Sequence, residues 1–520
     1  MNKLSRLLST AAVLLLVTVG CSLDETPYGV YSNKTFFLTE ADAENALLYA
    51  YIPINYIEYA QRFMFYLGDQ TTDEIIDYGK GSTDVSNWDI RETTETILYY
   101  FKNIYVALGR ANSVLENVPK MDIPQEKKDR FIGEALFLRA FHHYNLAVNW
   151  GSVPIRTASV NTVQDALAPK APLDQVWDRI EKDLLEAEKL LGVKKIQGRV
   201  DRGAVQALLS RVYLYLASYK ETGSPGYDWV EDADALYAKA VEYAGKVIEE
   251  QKVYSLEPRL ENIYSVYHQS DCPEHIFITG MNRKASGMEG TYAQLPLLWM
   301  VQYNDAYIYV SESLVPETDP STGSVKVMKM MNYRPAWETL RVNYKWREDN
   351  FDDNDLRKQL MVTTIYNEDG TVLRTFAPEN IESPDILTNK YFFPFCRKYS
   401  DPESLEMRSS SNIYLIRMGE VYLNYAEAAG PTEKGYFCVN EIRKRAGLDP
   451  LPAGLSRDGF REAVIKERQR ELCFEGHALY DLRRLHRADS DHITSPPPKE
   501  SAAYFFPFPQ RETDLNPTNQ

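Results

Sequence analysis

Cysteine is scarce in this chain, with five in 520 residues. Cys21 closes an N-terminal apolar run, while Cys272, Cys396, Cys438 and Cys473 fall far apart with no Cys-x-x-Cys pair. That spacing argues against a zinc site and gives no disulfide framework. The four read as buried thiols, although an exported protein is able to pair them. Positive charge is in deficit: 58 Lys and Arg stand against 74 Asp and Glu, for a net charge of −16. A polyanion of this kind does not bind nucleic acid, whose recognition rests on neutralising phosphates. It also gains nothing from an anionic membrane surface, and the acidic balance serves solubility. After the first 20 residues no run is long and apolar enough to span a bilayer, which takes roughly 20 residues. Catalytic signatures are missing as well: there is no His-Glu-x-x-His, no Gly-x-x-x-x-Gly-Lys and no Gly-x-Ser-x-Gly. His142 and His143 are adjacent, so on a helix they point roughly 100° apart and do not share a metal without distant partners. No cofactor and no metal are expected. A glycosidase needs only two carboxylates at a set separation, and no spacing rule excludes such a pair.

What is present begins at the N-terminus. Lys3 and Arg6 precede the apolar stretch Ala11 to Gly20, which ends at Cys21. A basic start, a short apolar run and small residues before a cut site describe a secretory signal. A cysteine directly after Gly20 reads as a bacterial lipoprotein signal, with Cys21 as the lipidated N-terminus of the mature chain. Thr18 stands where leucine is usual, and the alternative is an ordinary signal peptide with a chance cysteine. Several acyl chains, at about 0.8 kcal/mol per buried CH₂, make such an anchor stable.

The chain divides by character into a signal at 1–20, an extended tether at 21–36, a helical part at 37–255, a loop-rich insertion at 256–412, a second helical part at 413–486 and a Pro-rich tail at 487–520. Periodicity predicts helices over 38–57, 93–118, 126–149, 174–191, 201–219 and 234–250, then 413–430, 435–446 and 457–478. Ala204, Leu208, Arg211, Val212, Tyr215 and Leu216 follow the spacing of a buried helix face. Ala135-Leu136-x-x-Arg139-x-Phe141 recurs as Ala207-Leu208-x-x-Arg211-x-Tyr213. The offset is close to twice the tetratricopeptide period of roughly 34 residues. Chance similarity between two helices of this composition would look the same. In the insertion, periodicity weakens and Trp299, Tyr303, Tyr307, Tyr309, Trp337, Tyr344 and Trp346 crowd together.

The C-terminal helices carry a longer pattern. Ile416-Arg417-Met418-Gly419-Glu420 leads to Asn424-Tyr425-Ala426-Glu427-Ala428, then to Asn440-x-Ile442-Arg443-x-Arg445-Ala446-Gly447-Leu448. Glu467-Arg468-x-Arg470-Glu471-Leu472-x-Phe474-Glu475-Gly476 and Asp481-Leu482-Arg483-Arg484 follow. Ala111-Asn112, Leu138-Arg139-Ala140-Phe141, Gly151-x-Val153-Pro154, Asn354-Asp355-x-Arg357 and Phe506-Pro507-Phe508-Pro509 through Asn516-Pro517 match too. The sequence after residue 20 resembles the SusD/RagB family of outer-membrane nutrient-binding lipoproteins. The resemblance implies a mainly α fold of about four tetratricopeptide-like helix pairs with a large loop-rich insertion. It implies a non-enzymatic protein on the outer face of the outer membrane, which caps a SusC-like TonB-dependent transporter and captures a glycan ligand. Asp24 and Glu25, just after Cys21, fit a surface-export signal.

Glu467, Glu471 and Glu475 lie four residues apart and would repel on one helix without arginines beside them. Arg417, Arg443, Arg483 and Arg484 are the expected partners, in a network that fixes helix register. Sugar faces stack on aromatic rings while hydroxyls bond to fixed polar groups. Two stretches offer that chemistry, and in the family ligand contacts come from these parts of the chain. One holds Asp69, Asp73, Tyr78 and Trp88; the other holds Trp299, Tyr303, Asn304 and Tyr307. Most tyrosines of a helical repeat protein pack between helices instead. The competing readings are a peptide or other nutrient as ligand, and a lid whose main task is to grip the transporter.

Overall fold

The computed structural model describes residues 36–76, 83–285, 290–299, 307–331, 340–375, 394–489, 503–516 and 518. Helices dominate both ends. The first is α1 (Glu40–Tyr51), where Thr39 caps the N-terminus in a reciprocal box with Asp42. There follow α2 (Glu95–Asn117), α3 (Gln125–Trp150), α4 (Leu173–Leu190), α5 (Arg202–Thr222) and α6 (Ala233–Gly245). The second group is α7 (Met418–Ala429), α8 (Glu433–Arg445), α9 (Arg457–Leu472) and α10 (Ala478–Arg484). Prolines at 124 and 172 open α3 and α4, and Gly223, at φ 66°, ends α5 in the left-handed conformation.

Much of the packing is between sequence neighbours joined by short links, with α3 along α2 and α4, α5 along α6, and α7 along α8; α7 also lies along α9 and, across the insertion, along α6. The repeated arginines explain the repeated motif. Arg139 on α3 makes a buried ion pair with Asp183 of α4 at 2.7 Å, and Arg211 on α5 pairs with Glu420 of α7 at 2.5 Å. Each fixes its helix against another in the stack. The buried face predicted for α5 is there, and the helix is buried almost all round, as a central helix must be.

Between the helical groups the chain forms short strands: β1 (Ile75–Ile76), β2 (His275–Ile278), β3 (Tyr307–Ser311), β4 (Val327–Met331), β5 (Arg341–Val342), β6 (Met361–Val362), β7 (Thr364–Tyr366), β8 (Val372–Thr375), β9 (Phe395–Cys396) and β10 (Tyr414–Arg417). One sheet has four strands in the order β4-β3-β7-β8; β1–β5, β2–β10 and β6–β9 are antiparallel pairs. The segment at 413–430 thus starts as a strand and not as helix. Tyr414–Arg417 is buried at every position and pairs with β2, and a short continuous apolar run carries no period to separate the two conformations. Phe277 of β2 meets Phe137 and Phe141 of α3 edge to face at 5.2 and 5.5 Å, so this strand pair belongs to the helical core. The tail is partly internal: Ala503, Tyr504 and Phe506 are buried. Cys272, Cys396, Cys438 and Cys473 are free, buried thiols. Among the described residues no helix is long and apolar enough to cross a membrane.

Candidate functional site

The charged motif comes first, because it holds the rest in place. Arg417 donates from Nη1 to Glu274 and Glu471, both at 2.7 Å, and from Nε to Glu475 at 2.8 Å. Arg445 reaches Glu471 at 2.5 Å, and Arg357 reaches Glu467 at 2.7 Å and Glu471 at 3.2 Å. Arg443 joins Glu467 at 2.9 Å and Lys398 joins Glu475 at 2.7 Å. Burial pushes the Glu471 carboxyl up, but the Arg445, Arg417 and Arg357 guanidinium groups overcome it and hold it well below the usual carboxylate range. Two expected partners act elsewhere. Arg483 donates to Ala503 O and Val148 O, and Arg484 pairs with Glu427 and Asp481. Arg357, Arg445 and Lys398 take their place; Arg357 and Arg445 stand in the family motifs, but nothing local in the sequence pairs them with these glutamates.

Glu475 is not on the helix. The chain turns out of α9 after Leu472, with Phe474 at φ 61° and Gly476 at φ 79°. This turn aims two backbone amides at the first candidate stretch. Gly476 N–H donates to Asp69 Oδ2 at 2.9 Å, and Phe474 N–H donates to Glu74 Oε2 at 3.3 Å. Approach is so close that a Cβ on Gly68 would sit 2.6 Å from Gly476 O, which only glycine permits. Burial raises the Asp69 carboxyl to about 7 against the pull of the Gly476 and Ala478 amides. Burial, with Asp69 and Asp73 nearby, also raises Glu74 well above its ordinary value.

The fastened loop then meets the second stretch. Ile75 and Ile76 pair with Val342 and Arg341, Leu340 N–H donates to Leu298 O at 3.0 Å, and Asn343 Nδ2 donates to Asp73 O at 2.8 Å. Ile76, Leu298 and Leu340 are thereby held together beside one strand pair. The two stretches chosen from sequence are rooted together.

Individual residues fare differently. Trp299 is 2 % exposed and Asp69 is 0 % exposed. Trp299 packs against Phe65, Tyr399 and Phe474 with ring centroids 6.1, 6.2 and 5.4 Å away. The expectation that these two face a ligand is corrected: one is an aromatic core residue, the other an acceptor for the motif turn. Asp73 is half-buried, on the wall of a cleft of about 590 Å³ that it shares with Gln469, His477 and Leu482. Trp88 is half-buried at φ 56°, a left-handed conformation that costs a bulky residue about 1–2 kcal/mol. Its Nε1 donates to Thr71 O at 2.8 Å, and its ring leans on Phe506 at 6.2 Å. Phe506 is itself capped by the Arg483 guanidinium 4.3 Å from its ring centroid. Tyr78, Tyr303, Asn304 and Cys21 lie outside the described residues, as does the side chain of Tyr307, whose backbone opens β3 opposite Met331.

The histidine pair is structural. His142 Nδ1 meets Tyr59 Oη at 2.7 Å, whereas His143 Nδ1 lies 3.0 Å from Arg139 O and its Nε2 accepts from Arg156 N–H. Burial lowers both to about 3. Among the described residues no cluster of three or more His, Cys, Asp or Glu side chains could hold a metal.

Two family models match the chain. One, described as the SusD family, matches residues 330–492; the other, described as starch-binding and associating with the outer membrane, matches residues 23–214. The chain belongs to the SusD/RagB family. Neither matching model describes a catalytic family, and the second associates with the outer membrane. The SusD-like protein P2 of Formosa agariphila is 25% identical, with 98% of each chain covered. A SusD homolog from Bacteroides thetaiotaomicron superposes with a TM-score of 0.69 at 21% identity, covering 94% of this chain and 97% of that one. A structure titled as a laminarin-binding SusD-like protein gives 0.69 at 20% identity, covering 92% and 98%. These neighbours share a mainly α, tetratricopeptide-like scaffold with this SusD/RagB protein, and glycan binding is supported at the level of the family.

Proposed function

We propose that this SusD/RagB protein is a non-enzymatic glycan receptor on the cell surface, which hands its ligand to a SusC-like TonB-dependent transporter. Cys21 carries the lipid that anchors it to the outer membrane, after removal of residues 1–20, and residues 21–36 are the tether. One SusD-like domain follows, its two helical parts flanking the insertion at 256–412. The observation that carries the reading is Trp88. A tryptophan is held in a costly backbone conformation by its own indole N–H, half-exposed on the loop that the charged motif fastens. Strain of this kind persists where the surroundings over-determine it, at sites with a task. A ring fixed in advance loses little entropy when a sugar face stacks on it. Asp73 offers a carboxylate for hydroxyl groups nearby, and Tyr78, Tyr303, Asn304 and Tyr307 are the further contacts proposed.

The test is calorimetry of the full chain against plant, microbial and host oligosaccharides, with chromatography of the sugar afterwards. Saturable binding of one linkage class, unchanged sugar and weaker binding in Trp88→Ala support the reading. Binding of peptides alone moves the ligand to that class. Silence with glycans and peptides, together with uptake in cells that Trp88→Ala leaves intact, turns the protein into a lid for the transporter.

A further inference from the structure

A second cleft, of about 870 Å³, lies in the insertion and shares no residue with the stretches described above; Asn262, Tyr264, Tyr267, His268, Arg397 and Ser400 line it. Two of its features stand out against the rest of the molecule. The first is Arg397. Its Nη1 donates to Ser311 O at 3.2 Å, and among the described residues no carboxylate lies within ion-pair distance of it and neither Nε nor Nη2 has an acceptor. The residue itself is half-buried on the cleft wall. The acidic residues on the wall are already engaged, Glu261 with Arg259 at 2.6 Å and Glu312 with Lys326 at 2.5 Å. Burial, only partly offset by Glu261, lowers the guanidinium to about 10, so the site holds a positive charge that the protein does not neutralise. The larger groove beside α1, about 1140 Å³, also contains an arginine, Arg199, but that one is paired with Glu134 at 2.6 Å.

The second feature is Tyr267, which is 56 % exposed and whose Oη donates to Glu403 at 3.3 Å. A large ring is thereby turned out to solvent with its polar end tethered. Behind it Tyr264 is backed by Tyr414 at 5.5 Å and Tyr414 by Tyr399 at 5.8 Å, a rigid floor for the cleft.

We propose that this cleft binds an acidic sugar, a uronate residue of a glycan, with its carboxylate on Arg397 and its ring on Tyr267. The planar guanidinium fork matches a carboxylate in two parallel hydrogen bonds, and Asn262, His268 and Ser400 are within the same wall for the hydroxyls. The proposal rests on the glycan reading of the function and adds a ligand class and a second site to it.

The experiment is calorimetry of the full chain with an oligogalacturonate, with its methyl ester of equal length, and with a sulfated oligosaccharide. The expected result is that the oligogalacturonate binds at least tenfold more tightly than its ester. Arg397→Met, which keeps the side-chain volume, removes that preference, while Lys182→Ala, which touches only an exposed ion pair on α4, retains it. Tyr267→Ala weakens both uronate and ester. Equal affinity for acid and ester, tighter binding of the sulfated sugar, or a preference unchanged in Arg397→Met overturns the proposal. If neutral glycans bind through Trp88 while Arg397 is without effect, the receptor function stands and the acidic site falls. If no glycan binds, both fall.

Discussion

The two tryptophans beside the β1–β5 ladder sit in the same neighbourhood and do opposite things. Trp299 is enclosed by Phe65, Tyr399 and Phe474, the last in the turn whose amides donate to Glu74 and Asp69. Trp88 gives its indole N–H to Thr71 and keeps part of its ring open. The same residue type, chosen by the same composition argument, is core on one side and a candidate platform on the other. An enclosed ring belongs to the scaffold, and a ring held rigid but left partly open is the candidate for contact with a ligand.

The comparison breaks hardest on the buried side. Glu471→Ala leaves Arg357, Arg417 and Arg445 short of a shared counter-charge; breaking a buried pair costs about 3–5 kcal/mol, to be read from the denaturation midpoint. Trp299→Ala empties the aromatic cluster and costs about 3–5 kcal/mol of stability. Any loss of ligand affinity in that variant should disappear once the folded fraction is accounted for, and an affinity loss in fully folded protein would return Trp299 to the site. Trp88→Ala is expected to lower glycan affinity by about 2 kcal/mol, roughly thirtyfold, as truncation of an aromatic anchor does, in protein that calorimetry shows to be folded.

A smaller effect appears in pH. Asp69 holds its proton more tightly folded, at about 7, than unfolded. Its contribution is fully present below the unfolded value of 3.8 and is lost as pH rises through about 7. Glu420 works the other way in a separate window. Burial raises it but the Arg211 guanidinium prevails and lowers it to about 2, so its contribution is present above 4.5 and lost as pH falls through about 2. Asp69→Asn, which still accepts from the Gly476 amide, should flatten the decline in Tm between the unfolded value of 3.8 and about pH 7; an unchanged slope would remove Asp69 as its source. The smallest effect is on the surface. Lys182→Ala breaks an exposed pair with Asp178 and should change stability by less than about 0.5 kcal/mol.

The helices were legible because a long amphipathic period repeats its message many times over. Their arginine-bearing repeat was legible too, and Arg139 and Arg211 prove to do equivalent work. The strand at Tyr414–Arg417 was not, since four buried residues carry no period. The root of the candidate site could be read from its aromatic and acidic stretches, but not which residues face outward. Whether Trp299 is covered depends on Tyr399 and Phe474, distant in sequence, and a Trp-rich run looks the same whether it packs or binds. The partners of Glu471 divided along the same line: Arg417 is found where expected, whereas Arg357 and Arg445 had no local signal. Arg397 had none either, because the lack of a partner is a property of the folded surroundings alone.

The hydrogen bonds from Phe474 and Gly476 to Glu74 and Asp69 close loops of 400 and 407 residues. Contacts so distant along the chain form late, after the entropy of closing the loop has been met. Residues 69–76 therefore reach their final position only once the end of α9 has been made and folded. A chain cut short before residue 476 would keep most of the helices but lack the amide that holds Asp69 in place.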